Sequence, residues 1–142
     1  MWYHKGIQNT GRDTLAKDKA KLIDKWLAQG FCDERRVGFC ATSAGLPDGS
    51  LGMVAVTLKD ENLLIYDVDG KMLNTMPTRL MRTIPLKAIS SLEFSPNLFA
   101  ELFKGYSFRF KSGSFLYEFK NCSQNKAMLV VISDAVKDAQ KD

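Results

Sequence analysis

The stretch Tyr106-Ser107-Phe108-Arg109-Phe110-Lys111-Ser112-Gly113-Ser114-Phe115-Leu116-Tyr117-Glu118-Phe119-Lys120 decides the fold. Before Ser112-Gly113, the aromatics Tyr106, Phe108 and Phe110 share one face. After it Phe115, Tyr117 and Phe119 share another, while Arg109, Lys111 and Glu118 point the opposite way. Successive side chains leave opposite faces of a strand, so this alternation predicts two half-buried strands, over 106–111 and 114–120. The aromatics line a core and the charges meet water.

Upstream, the same period recurs. Val37, Phe39 and Ala41 alternate with Gly38, Cys40 and Thr42, which predicts a first strand. Gly45-Leu46-Pro47-Asp48-Gly49-Ser50 is a loop. Met53–Leu58 and Leu63–Val68 are apolar, β-branched runs joined by Lys59-Asp60-Glu61-Asn62, a connection short enough for an antiparallel hairpin. Asp69-Gly70 marks another turn. Pro77, Pro85 and Pro96 exclude a long helix from 70 to 97, leaving short strands at about 80–86 and 88–94. The count is seven strands, with room for one helical turn over 97–103.

Two segments carry helical spacing instead. Leu15, Leu22, Ile23, Trp26 and Leu27 make one stripe over 13–29, with Asp13 or Thr14 to cap its start and Gly30 suited to its left-handed end. Over 123–139, Met128, Val131, Ile132, Ala135, Val136 and Ala139 share a face, Ser123 can cap the start, and Val130 lies opposite. The reading is a tail and amphipathic helix over 1–35, followed by one domain over 36–142. The fold class is α+β, mainly β: a seven-stranded barrel or sandwich capped by a C-terminal helix, with an added N-terminal helix.

The chain of 142 residues is 45% hydrophobic and 25% charged, the composition of an ordinary globular domain, with no apolar run approaching the roughly 18 residues of a membrane span. Met1-Trp2-Tyr3-His4-Lys5-Gly6 lacks the order of a signal peptide, so a cytoplasmic protein is expected. Cys32, Cys40 and Cys122 are odd in number and lack C-x-x-C spacing, so they read as buried reduced thiols with no metal. Asp33-Glu34 beside Arg35-Arg36 reads as a solvated ion cluster. The one histidine, His4, could pair with Cys32 or Cys40, but either cysteine reads more simply as a small apolar residue beside Phe31 or Phe39, and no phosphate-binding glycine loop or H-E-x-x-H is present. An enzyme and a cofactor are therefore not expected.

Lys104-Gly105-Tyr106-Ser107-Phe108 matches the start of an RNA-recognition signature, but Arg109 and Lys111 then break it, so no nucleic acid is expected as a partner. The run Thr83-Ile84-Pro85-Leu86-Lys87-Ala88-Ile89-Ser90-Ser91-Leu92-Glu93-Phe94, with the aromatic hairpin and closing helix, resembles the bacterial pleckstrin-homology-like domains over about 36–138. The resemblance implies a binding module without catalysis, some of whose relatives assemble into rings. Family members that bind phosphoinositides use cations in the first inter-strand loop. Here Ser43-Ala44-Gly45-Leu46-Pro47-Asp48-Gly49-Ser50 has none.

The net charge of +4 and pI near 9.0 permit anionic lipid as a partner. Lys17, Lys21 and Lys25 form a row on the N-terminal helix, joined by Arg109 and Lys111 as candidate lipid-facing cations. The leading expectation is a binding or assembly module whose partner is another protein or the chain itself, with Val130 a candidate contact.

Overall fold

The computed structural model describes residues 21–49, 52–69, 75–96, 106–122 and 126–141. Seven strands follow in order: β1 Gly38–Ser43, β2 Gly52–Lys59, β3 Asn62–Asp69, β4 Met76–Pro85, β5 Ile89–Pro96, β6 Tyr106–Ser112 and β7 Phe115–Cys122. A helix α1 runs over 21–28, and α2 over Lys126–Ala139. All strand pairings are antiparallel, in the order β4-β3-β2-β1-β7-β6-β5. The sheet is open: among the described residues β4 and β5 end it and share no ladder, so its hydrogen bonding does not close a barrel, one of the two expected forms.

Side-chain parity sorts the sheet into two faces. Phe39 and Ala41 of β1, Val54, Val56 and Leu58 of β2, Leu63 and Ile65 of β3, Phe108 and Phe110 of β6 and Tyr117 and Phe119 of β7 form the inner face, packed on Leu129, Ile132 and Val136 of α2. The aromatics of the hairpin do line this core. Phe108 stacks on Phe119 with ring centroids 5.8 Å apart, and Phe110 on Tyr117 at 5.0 Å. Helix α2 is turned slightly from its predicted face. Leu129, outside the predicted stripe, is fully buried, while Met128, Val131 and Ala135 are half-buried. The spacing 129, 132, 136, 139 is the row that points at the sheet. The Gln140 side-chain amide donates to the Ile89 carbonyl, fixing the helix end to the start of β5.

Helix α1 lies on the other face. Ile23 and Trp26 pack with Cys32 on Ala55, Leu64 and Tyr66, which alternate with the inner residues of β2 and β3. Gly30, at φ 83°, ends the helix: its N–H bonds the Leu27 carbonyl and the Phe31 N–H bonds the Trp26 carbonyl. This is the Schellman arrangement, whose left-handed residue carries no Cβ penalty when it is glycine. The following linker is fastened to the β2–β3 hairpin. The Thr57 hydroxyl donates to the Phe31 carbonyl at 2.7 Å, the Lys59 ammonium to the Gly30 carbonyl at 2.7 Å, and the Asp33 N–H to the Leu58 carbonyl at 3.1 Å.

The Asp33 and Arg35 side chains form an ion pair in the predicted cluster and are also part of that fastening. Arg35 donates to both carboxylate oxygens of Asp33, and the Asp60 N–H donates to Asp33 Oδ2 at 2.9 Å. Burial pushes the Asp33 carboxyl up, but the hydrogen bonds from the Arg35 side chain and backbone and from Asp60 outweigh it and hold the group below its ordinary value. The predicted N-terminal helix start over 13–20, Gly70 of the Asp69-Gly70 turn, the helical turn over 97–103 and the Ser123 cap lie outside the described residues.

Candidate interaction face

Among the described residues, the outer face is covered on one half and open on the other. Over β1, β2 and β3 it carries α1. The Trp26 indole, 1% exposed, packs between that helix and the sheet and donates from Nε1 to the Thr75 carbonyl at 3.2 Å. Over β5, β6 and β7 the described residues put charged side chains in water.

Strand register builds this open half. Glu93 of β5, Arg109 of β6 and Glu118 of β7 are cross-strand partners and form one row. Two residues along, Lys111 of β6 partners Leu116 of β7, and in the other direction Lys120 of β7 partners Thr42 of β1. Arg109 donates from Nε to Glu93 Oε2 at 2.7 Å. Both groups are more than half exposed, so water screens the pair and its net worth is about 0–1 kcal/mol. Glu118 has no ion pair among the described residues. An open hollow of about 470 Å³ lies over this row, bordered by Glu93, Arg109, Glu118 and Lys120 with Phe108 and Phe119 beneath. Leu116, 40% exposed, and Met53, 58% exposed, are large apolar side chains at the surface.

The structure separates the residues that the sequence nominates. Arg109 and Lys111 stand together on β6. Lys21 and Lys25 are exposed on α1, which overlies β1–β3 on the far side of β7. Lys17 lies outside the described residues. Val130 is exposed as predicted, but on α2, on the opposite side of the sheet. Glu93, Leu116 and Lys120 join Arg109 only through strand register. Period two gives each residue's face but not its neighbour on the next strand.

Cys32 and Cys40 are chemically quiet. Burial pushes Cys32 up to about 11, with Asp33 adding to the effect, and burial pushes Cys40 up to about 11. A thiol of that kind stays protonated at neutral pH and is a poor nucleophile. Among the described residues no three His, Cys, Asp or Glu side chains converge as a metal site, and no helix is long and apolar enough to cross a membrane.

No family model matches the chain, and no curated protein matches it. Among solved structures it is similar to inner membrane complex sub-compartment protein 3 (ISP3) from Toxoplasma gondii. The identity is 10% and the TM-score 0.43, with 88% of this chain and 87% of that chain covered.

Proposed function

We propose that the chain is a non-enzymatic binding or assembly module of the bacterial pleckstrin-homology-like kind, acting through protein contacts that include its own copies. The observation that carries this reading is the division of the outer face: one half is sealed by α1, and the other is left open with a mixed-charge row and an exposed leucine. Apolar surface and both charge signs on one accessible patch are protein-like chemistry, whereas a nucleic-acid surface needs a strongly positive one. The strand order and closing helix agree with the family that the Thr83–Phe94 run resembles. Burial of Phe108 and Phe110 leaves those two rings unavailable for stacking on bases. The protonated state of Cys32 and Cys40 supports a role without covalent chemistry.

The test is solution mass by light scattering across protein concentration. A multiple of 15.9 kDa supports self-assembly. A monomer at every concentration removes self-assembly and leaves capture of a different protein.

A second reading is peripheral attachment to anionic membrane, favoured by the outward exposure of Lys21 and Lys25. Ile23 and Trp26 are committed to the sheet, so α1 keeps no such apolar anchors for the bilayer and the attachment would be electrostatic. Absence of sedimentation with anionic vesicles at low salt would remove this reading.

A further inference from the structure

We propose that the open half-face packs on the same half-face of a second copy, about a twofold axis that runs along the strands between β6 and β7. The inference rests on the assembly reading above and names its surface.

Strand register fixes the geometry. Arg109 on β6 and Glu118 on β7 stand at one level, and Lys111 and Leu116 at the next. A twofold axis parallel to the strands and between them sets β6 of one copy over β7 of the other at the same level. Arg109 then faces the partner's Glu118, and Glu118 faces the partner's Arg109. The aliphatic stem of Lys111 covers the partner's Leu116, again twice, as an isologous interface requires. An axis across the strands at that level would instead set Arg109 on Arg109 and Glu118 on Glu118. Of these two orientations, only the first is complementary.

Three further observations fit. Arg109 uses Nε for Glu93, and its guanidinium has donors left for a second carboxylate. Glu118 borders the hollow without an ion pair among the described residues, which gives the incoming guanidinium both space and a partner. Packed sheets stand about 10 Å apart, a gap that an arginine and a glutamate bridge together. The edges are poorer routes to assembly. β4 is irregular against β3 at two places and holds Pro77 and Pro85, while β5 is broken by an irregularity between Ser90 and Glu93, with Ser91 at φ 52°. Bulges and prolines of this kind blunt edge pairing.

The experiment uses the full chain and sedimentation equilibrium on wild type, Arg109→Glu, Glu118→Arg and an equimolar mixture of the two variants. Far-UV spectra and melting curves establish that each variant is folded. Wild type is expected to form a dimer, and each single reversal to weaken it roughly tenfold or more, because each substitution acts twice. The mixture is expected to recover dimer. In the mixed pair the introduced glutamate of one copy meets the introduced arginine of the other, and the unchanged Glu118 of the first meets the unchanged Arg109 of the second. A dimer that both reversals leave intact, or a mixture no better than its components, overturns this surface while leaving assembly standing. A wild-type monomer at all concentrations overturns both.

Discussion

Gly38 and Trp26 occupy one continuous space: a Cβ placed on Gly38 would lie 2.7 Å from Cε3 and 2.9 Å from Cζ3 of the indole. Strand β1 therefore admits the helix only because one of its outer positions has no side chain. Gly38→Ala is expected to destabilise the protein by about 1–3 kcal/mol, the usual cost of overpacking, and to lower its melting temperature. In a Trp26→Ala background the same change should cost much less, since the clash has gone. A double-mutant cycle read by denaturant unfolding measures the difference. Equal costs in both backgrounds would mean that the indole is not what Gly38 accommodates.

Protonating Asp33 should loosen the linker that holds α1. Its carboxyl is held below the ordinary value, so the charged form is favoured by folding. That contribution is complete above the ordinary carboxylate range of about 4 and is lost as the pH falls through the lower folded-state value. Asp33→Asn should melt below wild type at pH 7, with the gap closing on acidification. A gap independent of pH would show that the charge contributes nothing.

The thiols Cys32 and Cys40 should resist modification. In a Cys122→Ser variant, a disulfide reagent at about pH 7.5 should react slowly with the native protein and rapidly with the unfolded one. Both thiols sit near 11 when folded against an ordinary 9.0, so stability should be unaffected well below 9.0 and decline as the pH rises toward 11. Fast reaction of the folded chain would contradict the burial of Cys32 and the partial burial of Cys40.

Adjacent residues on β6 should respond very differently. At concentrations where the chain is monomeric, Phe108→Ala removes a ring 1% exposed and should cost about 3–5 kcal/mol, while Arg109→Ala breaks one exposed ion pair and should cost no more than about 1 kcal/mol. Chemical denaturation of both variants checks the contrast.

The sequence alone determined which residues of the 106–120 hairpin face the core. Aromatics at every second position of 106–110 and again of 115–119 can be buried together in only one register of faces, and that pattern is local. It also determined the helix end at Gly30, because a left-handed residue there costs glycine least. Tertiary structure decided what those faces meet. The spacing of Ile23 and Trp26 makes an apolar stripe but does not say that the stripe fits over Gly38 and Ala55, a contact made by residues distant in the chain. The same holds for Asp33, whose partner Asp60 is 27 residues away, and for the row Glu93, Arg109 and Glu118, which exists only once three strands are laid in register. Periodicity is a property of one segment, and a site is a property of several. The alternation of Arg109 and Lys111 with phenylalanines put them in water, but only the register with β7 set Glu118 and Leu116 beside them.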